Sequence, residues 1–335
     1  MAELSMMRLL VTGASGLVGR AVVGAFAQPG CRVRTAVRHP AEPPFAPGVE
    51  VVQHPDLAQS FDWAPLLDGV DRIVHLAGIA HTAGVADELY DRINRQATAE
   101  LAAAAARAGI RQLVFVSSIR AQSGPTADHA LTERDPPAPT DTYGRSKLAA
   151  EAAVRGAGVP FTILRPVLLY GPGVKGNFAS LLRAARSPWP LPLKDFVNRR
   201  SLLGVDNFIS ALRFVLSTPA AIGETYVVAD PGIPPRLADL LAAFREAQGR
   251  WPLIVPMPTH YLEIPLRMLR RDDVWDRLGG NLRVDAAKLI AAGWRPIHDT
   301  KTGVAALAYI AAAEFPSAES RSRNTMPPTT PTPNT

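Results

Sequence analysis

Residues Met7-Arg-Leu-Leu-Val11 run directly into Thr12-Gly13-Ala14-Ser15-Gly16-Leu17-Val18-Gly19. The first five are a short apolar run and read as a buried strand. Leu17 to Ala27 reads as a helix. Glycines at 13, 16 and 19 let the backbone turn tightly and come close to a pyrophosphate. They also let the helix pack on the strand with its N-terminal amides aimed at the anion. Ser15 and Leu17 lie in the same turn. Among 25 glycines such a spacing arises by chance, so position decides. The motif follows the first strand, where a dinucleotide-binding fold needs it.

Downstream the alternation repeats. Strands are predicted at Cys31–Val37, Val49–Gln53, Asp71–Ala77, Gln112–Ser117 and Pro160–Arg165. Helices are predicted at Trp63–Leu67, Glu88–Ala108 and Thr142–Gly156. That rhythm argues for βαβ units and a doubly wound parallel sheet, an α/β fold of the Rossmann type. After Tyr170 prolines cluster and the rhythm breaks. We expect a dinucleotide-binding domain over 7–170, with 205–230 returning to it. Residues 171–204 and 231–313 would form a smaller, irregular substrate lobe. Residues 1–6 and 314–335 are expected to be disordered flanks.

Composition narrows the class. The 335 residues are 47% hydrophobic and 20% charged, which excludes a disordered or fibrous chain. One cysteine, Cys31, excludes a disulfide framework and a Cys-rich metal site, and no metal is expected. No uninterrupted apolar stretch is long enough for a spanning helix, and the start lacks a signal-peptide layout. A cytoplasmic protein is expected. The net charge of +6 reads as arginine-rich composition or as a preference for an anionic ligand such as a nucleotide. No basic block points to nucleic acid. The apolar, basic stretch Trp251–Arg271 reads as packed lobe or as a weak membrane contact.

Only five residues are lysines, and the first is Lys147, in Tyr143-Gly-Arg-Ser-Lys147. Six tyrosines and five lysines in 335 residues give about 0.09 chance Tyr-x-x-x-Lys matches in the chain. At i, i+4 both side chains share a helix face. The ammonium is expected to favour tyrosinate and lower the Tyr143 pKa, so that the phenol exchanges a proton with a carbinol or carbonyl. Lysine also suits ribose hydroxyls. Ser117 and Ser118 end a strand, at the sheet edge where ligands bind. There, one hydroxyl would hold the substrate oxygen beside Tyr143, or both would simply cap the strand. At the end of the second strand Arg38 stands where an NAD-preferring fold usually places an acid. It reads as a 2′-phosphate contact for NADP or as a solvated arginine.

These landmarks, in this order, resemble an extended short-chain dehydrogenase/reductase of the NAD-dependent epimerase/dehydratase family, nucleotide-sugar 4-reductase/4-epimerase branch. The others are Asp56-Leu57, His75-Leu-Ala-Gly78, Asn94, Leu164-Arg-Pro166 and Tyr170-Gly-Pro-Gly173. The resemblance covers about residues 7–313. It implies that Asp56 and Leu57 meet the adenine and that Leu76, Ala77 and Gly78 line the cofactor path, with Asn94 on the neighbouring helix. It places Ser117 near the nicotinamide, with Pro166 and Val167, and Ser118 on the sugar oxygen. Tyr143 would be the acid/base and Lys147 its electrostatic partner. Asn177 and Arg200 would meet the substrate diphosphate. His75 is expected to be structural.

Two departures stand out. Ile119-Arg-Ala-Gln122-Ser123-Gly124 replaces the usual aromatic-glycine pair. Ile119 and Arg120 occupy the positions where a 4,6-dehydratase carries an Asp-Glu pair. The resemblance thus implies C4 chemistry on a UDP-sugar: NADPH-dependent 4-keto reduction of a UDP-deoxyhexosamine for surface polysaccharide, or NAD-dependent 4-epimerisation. A non-catalytic dinucleotide-binding scaffold is the remote alternative. The resemblance also implies a homodimer through the helices at Glu88–Ala108 and Thr142–Gly156.

Overall fold

The computed structural model describes residues 7–39, 44–80, 84–172, 181, 183–269, 275 and 279–314. The strands are β1 (Arg8–Thr12), β2 (Arg32–Val37), β3 (Glu50–Gln53), β4 (Arg72–His75), β5 (Gln112–Val116), β6 (Ala130–Leu131), β7 (Phe161–Pro166), β8 (Leu168–Tyr170), β9 (Leu202–Gly204), β10 (Thr225–Val228) and β11 (Arg283–Val284). The helices are α1 (Leu17–Phe26), α2 (Ala64–Leu67), α3 (Asp87–Tyr90), α4 (Ala97–Arg107), α5 (Thr142–Gly156), α6 (Val205–Ser217), α7 (Leu237–Ala247), α8 (His260–Met268), α9 (Ala287–Ala291) and α10 (Thr300–Glu314). A π-helical segment, Asp91–Gln96, joins α3 to α4.

Seven strands form one sheet in the order β10-β7-β5-β4-β1-β2-β3, and every pairing in it is parallel. The order reverses between β1 and β4, which opens a crevice beyond their C-terminal ends. Alternation along the strands divides the core. Leu9, Val11, Val74 and Val114 face one layer with Val22, Phe208 and Leu212. Leu10, Ile73, Leu113 and Phe115 face the other with Leu101, Ala105 and Val154. Strands buried on both faces read as continuous apolar runs, and that is why they stood out in the sequence.

Four features differ from the sequence reading. The helix expected over Glu88–Ala108 carries the π segment, where Asn94 sits. The strand expected over Asp71–Ala77 stops at His75, freeing Leu76, Ala77 and Gly78 as a loop. The strand Ala130–Leu131 pairs with β11. The stretch expected to be irregular contains α7, α8 and α10. Leu240, Leu241 and Phe244 of α7 pack with Val304 and Leu307 of α10 in a third core cluster that includes Tyr170. The flanks 1–6 and 315–335 lie outside the described residues.

Candidate active site

The turn after β1 is set by sterics. Gly13 has φ +70°, and a Cβ there would lie 2.6 Å from the Ala77 amide nitrogen. The loop after β4 therefore closes directly against the loop after β1. A Cβ on Gly19 would overlap the Gly13 carbonyl oxygen, so α1 packs this near only with glycine. Gly16 caps α1 with no side-chain hydrogen bond, and the first turn holds no acidic residue. The positive end of the helix thus faces the crevice without a competing anion, as a pyrophosphate site requires. Gly19→Ala is expected to cost about 1–3 kcal/mol of stability and to weaken dinucleotide binding, measured by denaturant titration and cofactor fluorescence.

A buried hydrogen-bond chain holds the two loops in place. The Ala77 amide donates to Thr12 Oγ1 at 3.3 Å, and Thr12 Oγ1 lies 2.6 Å from His75 Nδ1. His75 Nε2 lies 2.9 Å from Thr98 Oγ1, which donates to the Asn94 carbonyl. Full burial pushes the imidazole down to about 3, so it is neutral at working pH. His75 is structural, as expected.

Asn94 is held by the protein. Its Oδ1 accepts from the Ile79 amide at 2.8 Å, and its Nδ2 donates to the Ile79 carbonyl and Ser146 Oγ. The amide thus clamps the Ile79 backbone next to Gly78. The Ser117 hydroxyl donates inward, to buried Glu151 Oε1 at 2.6 Å.

Ser118 points the other way, since neighbours at a strand end face opposite sides. Its Oγ accepts from the Arg120 amide at 3.1 Å and hydrogen-bonds the Tyr143 phenol. Tyr143 rests edge-on against Tyr90, ring centroids 6.2 Å apart. Asp141 caps α5 by accepting from the Gly144 amide and also pairs with Arg120. Burial pushes the Tyr143 phenol up, while the Ser118 hydrogen bond and the Arg120 charge pull it down.

Lys147 lies one turn beyond Tyr143 on α5 and is buried. Lys147 Nζ donates to the Val116 carbonyl at 2.8 Å and lies 4.2 Å from the Phe115 ring centroid. Burial lowers the Lys147 ammonium to about 7, against a small opposing pull from Glu151. An unfolded lysine holds its proton up to about 10.5. The unfolded chain therefore binds more protons between these values, and stability rises with pH from about 7 to 10.5. Lys147→Met should remove that slope and stabilise the protein by about 1–4 kcal/mol near neutrality, read as a pH series of denaturant midpoints.

The residues beneath this site were missed in the sequence. Glu151, one turn beyond Lys147 on the same face of α5, is fully buried and meets Arg165 at 2.9 and 2.7 Å. Arg165 also donates to Gln122 Oε1 at 2.9 Å. The pair ties β5, α5, β7 and the turn after Ser118 together. An arginine inside the apolar run Phe161-Thr-Ile-Leu-Arg165-Pro166 was the available signal.

The remaining expected contacts are scattered. Arg38 is exposed and ion-paired with Asp56 at 3.0 Å. Leu57 and Val167 are buried in the two core layers flanking the sheet. Pro166 closes β7 opposite Val228. Arg200 donates to the carbonyls of Gly280 (3.1 Å) and Pro125 (2.6 Å), beside the loop that follows the serines. Asn177 lies outside the described residues. No cluster of metal-ligating side chains occurs among the described residues.

Known proteins resemble this chain closely. A UDP-glucose 4-epimerase of Vibrio cholerae is 30% identical over 307 residues, spanning 88% of this chain and 92% of its own. An N-acetyl-alpha-D-glucosaminyl-diphospho-ditrans,octacis-undecaprenol 4-epimerase of Escherichia coli O157:H7 is 26% identical over 269 residues, 78% of this chain and 77% of its own. The crystal structure of UDP-glucuronic acid 4-epimerase from Bacillus cereus in complex with NAD shares the fold, with TM-score 0.73 at 18% identity over 92% of this chain and 100% of that one. Residues 9–229 match the NAD dependent epimerase/dehydratase family. Taken with the glycine turn, the parallel sheet and the Ser118–Tyr143 contact, this makes the chain an enzyme of the NAD-dependent epimerase/dehydratase family.

Proposed function

We propose that the protein is a UDP-sugar 4-epimerase that keeps its NAD bound. The observation that carries this reading is the likeness over nearly the whole chain to a UDP-glucose 4-epimerase, and the Arg38–Asp56 ion pair supports it. Arg38 is the cation placed to meet a 2′-phosphate, and a carboxylate already answers its charge. The V. cholerae relative, similar over nearly the whole chain, bears a 4-epimerase name. Ile119 and Arg120 stand in place of the acids an elimination would need.

The cradle fits the dinucleotide: the bare Gly13–Gly19 turn and the uncapped start of α1 would take its pyrophosphate, and the Leu76–Gly78 loop its path. NAD supplies a hydride acceptor and donor at the sugar C4. Tyr143, as phenolate, would take the O4 proton on oxidation at C4 and return it on reduction, the 4-keto sugar turning its other face between the two steps. Ser118 hydrogen-bonds O4 throughout. Lys147 is the residue proposed for the ribose hydroxyls, and where protonated its charge would favour the phenolate. Arg200 and Asn177 are the residues proposed for the diphosphate. The enzyme would act in the cytoplasm, as a homodimer through α4 and α5.

The second reading, 4-keto reduction of a UDP-deoxyhexosamine with NADPH, rests on Arg38 itself, since an exposed ion pair is weak and a phosphate displaces it at little cost. The cofactor released on denaturing the purified protein separates the two. NAD at near one equivalent supports the epimerase. An empty protein that binds NADPH more tightly than NADH supports the reductase.

A further inference from the structure

The small lobe carries an apolar face with no counterpart in the active site. Two segments form its base. The Leu191 amide donates to the Leu253 carbonyl, and the Val255 amide to the Leu191 carbonyl. Buried Arg245 holds both segments from behind, donating to the carbonyls of Ser187, Trp189 and Leu253. This rigid base presents Trp189 and Trp251 outward, 74% and 83% exposed. A short Pro256–Pro258 link leads from it into α8.

On α8 an apolar stripe faces outward. Tyr261, Ile264 and Met268 fall at i, i+3 and i+7, which is one helix face. They are 62%, 54% and 80% exposed, and Leu269 follows at 72%. A soluble helix turns such a stripe inward; here it faces solvent. Exposed apolar side chains grouped on one helix face mark an interaction site.

Its flanks are basic. Arg183, Lys194 and Arg267 are exposed, and Arg250 is half-buried beside Trp251. The acids nearby are Asp195, Glu246 and Glu263, and Glu263 is paired with Arg267 at 2.9 Å. The whole chain is +6. Tryptophan and tyrosine rings with arginine and lysine at their margin are the side chains that settle at the boundary between headgroups and acyl chains. A symmetric contact with a second copy would set these cations against each other. An anionic bilayer answers them.

We propose that this face docks the enzyme on an anionic phospholipid membrane. Trp189, Trp251 and the outward stripe of α8 enter the interface, and Lys194 and Arg267 meet the lipid phosphates. No helix of the described residues is long and apolar enough to cross a membrane, so the contact is a surface one.

The test uses the full chain and vesicles of phosphatidylcholine with or without phosphatidylglycerol. Trp63 and Trp294 are buried and Trp275 is half-buried against Phe196, so the part of the emission shift that the Trp189→Ala/Trp251→Ala variant loses reports on Trp189 and Trp251. The expected result is a blue shift and co-sedimentation with the anionic vesicles, both reduced by salt. The Trp189→Ala/Trp251→Ala variant should bind at least about tenfold more weakly, while NAD binding is unchanged. Met268→Glu, on the exposed stripe and outside the packed core, should weaken binding in the same direction. No blue shift with anionic vesicles, or equal sedimentation of wild type and both variants, overturns the proposal. So does a lipid-free dimer that Met268→Glu dissolves, because the face would then be a self-interface.

Discussion

Tyr143→Phe should fold, bind NAD as the wild type does, and turn over about 10²–10⁴-fold more slowly. The change removes one hydroxyl and leaves the ring against Tyr90. It deletes the only group of Tyr143 that can carry a proton, together with its hydrogen bond to Ser118. The stability loss is small, about 1 kcal/mol for one neutral hydrogen bond. Steady-state kinetics beside a denaturation curve separate the two effects. A variant with wild-type kcat would remove Tyr143 from the reaction. A variant with lost NAD binding would make its role one of assembly.

Glu151→Ala is expected to have the largest effect on stability, about 3–5 kcal/mol. Arg165 is 4% exposed, and without Glu151 its guanidinium loses two short hydrogen bonds and its counter-charge. The Ser117 hydroxyl loses its acceptor as well. Glu151→Gln keeps the shape and removes only the charge, so its loss should be smaller. The pH dependence follows from the same contacts. Burial raises the Glu151 carboxyl, but hydrogen bonds and charge from Arg165, with help from Ser117 and Arg155, hold it below the usual carboxylate range. Its stabilising contribution is therefore present above that range and lost as pH falls through the depressed value. Acid denaturation of wild type and Glu151→Gln should converge at low pH. Curves that stay parallel would mean that the pair contributes no charge-dependent stability.

The parts of the site that were legible in the sequence share one property. Each is fixed by a constraint local to the chain. Gly13 and Gly19 are forced by backbone approach, so glycine itself is the signal. Tyr143 and Lys147 sit one helical turn apart, and the scarcity of lysine makes the spacing rare. The strands β1, β4 and β5 are buried on both faces and show as apolar runs.

The parts that were not legible depend on tertiary geometry. Which of Ser117 and Ser118 faces the crevice follows from how β5 ends against α5. Asn94 reads as a polar helix residue, and only the π segment turns its amide onto Ile79. The Glu151–Arg165 pair joins a helix to a strand, with no spacing rule between them. Lys147 reads as the partner of the phenol, yet its ammonium finds the Val116 carbonyl at the end of β5. Beyond Tyr170, alanine-rich α10 carries little periodic contrast and Pro265 interrupts α8, and so these helices were hidden.

The most direct measurement is sugar interconversion by the purified protein with no cofactor added, followed by NMR of the anomeric and H4 protons. UDP-glucose and UDP-N-acetylglucosamine should each be offered, beside Tyr143→Phe as the inactive control. The account predicts that at least one is converted to a mixture with its C4 epimer, without net change in cofactor redox state. No interconversion, together with NADPH oxidation on a UDP-4-keto-deoxyhexosamine, would contradict it.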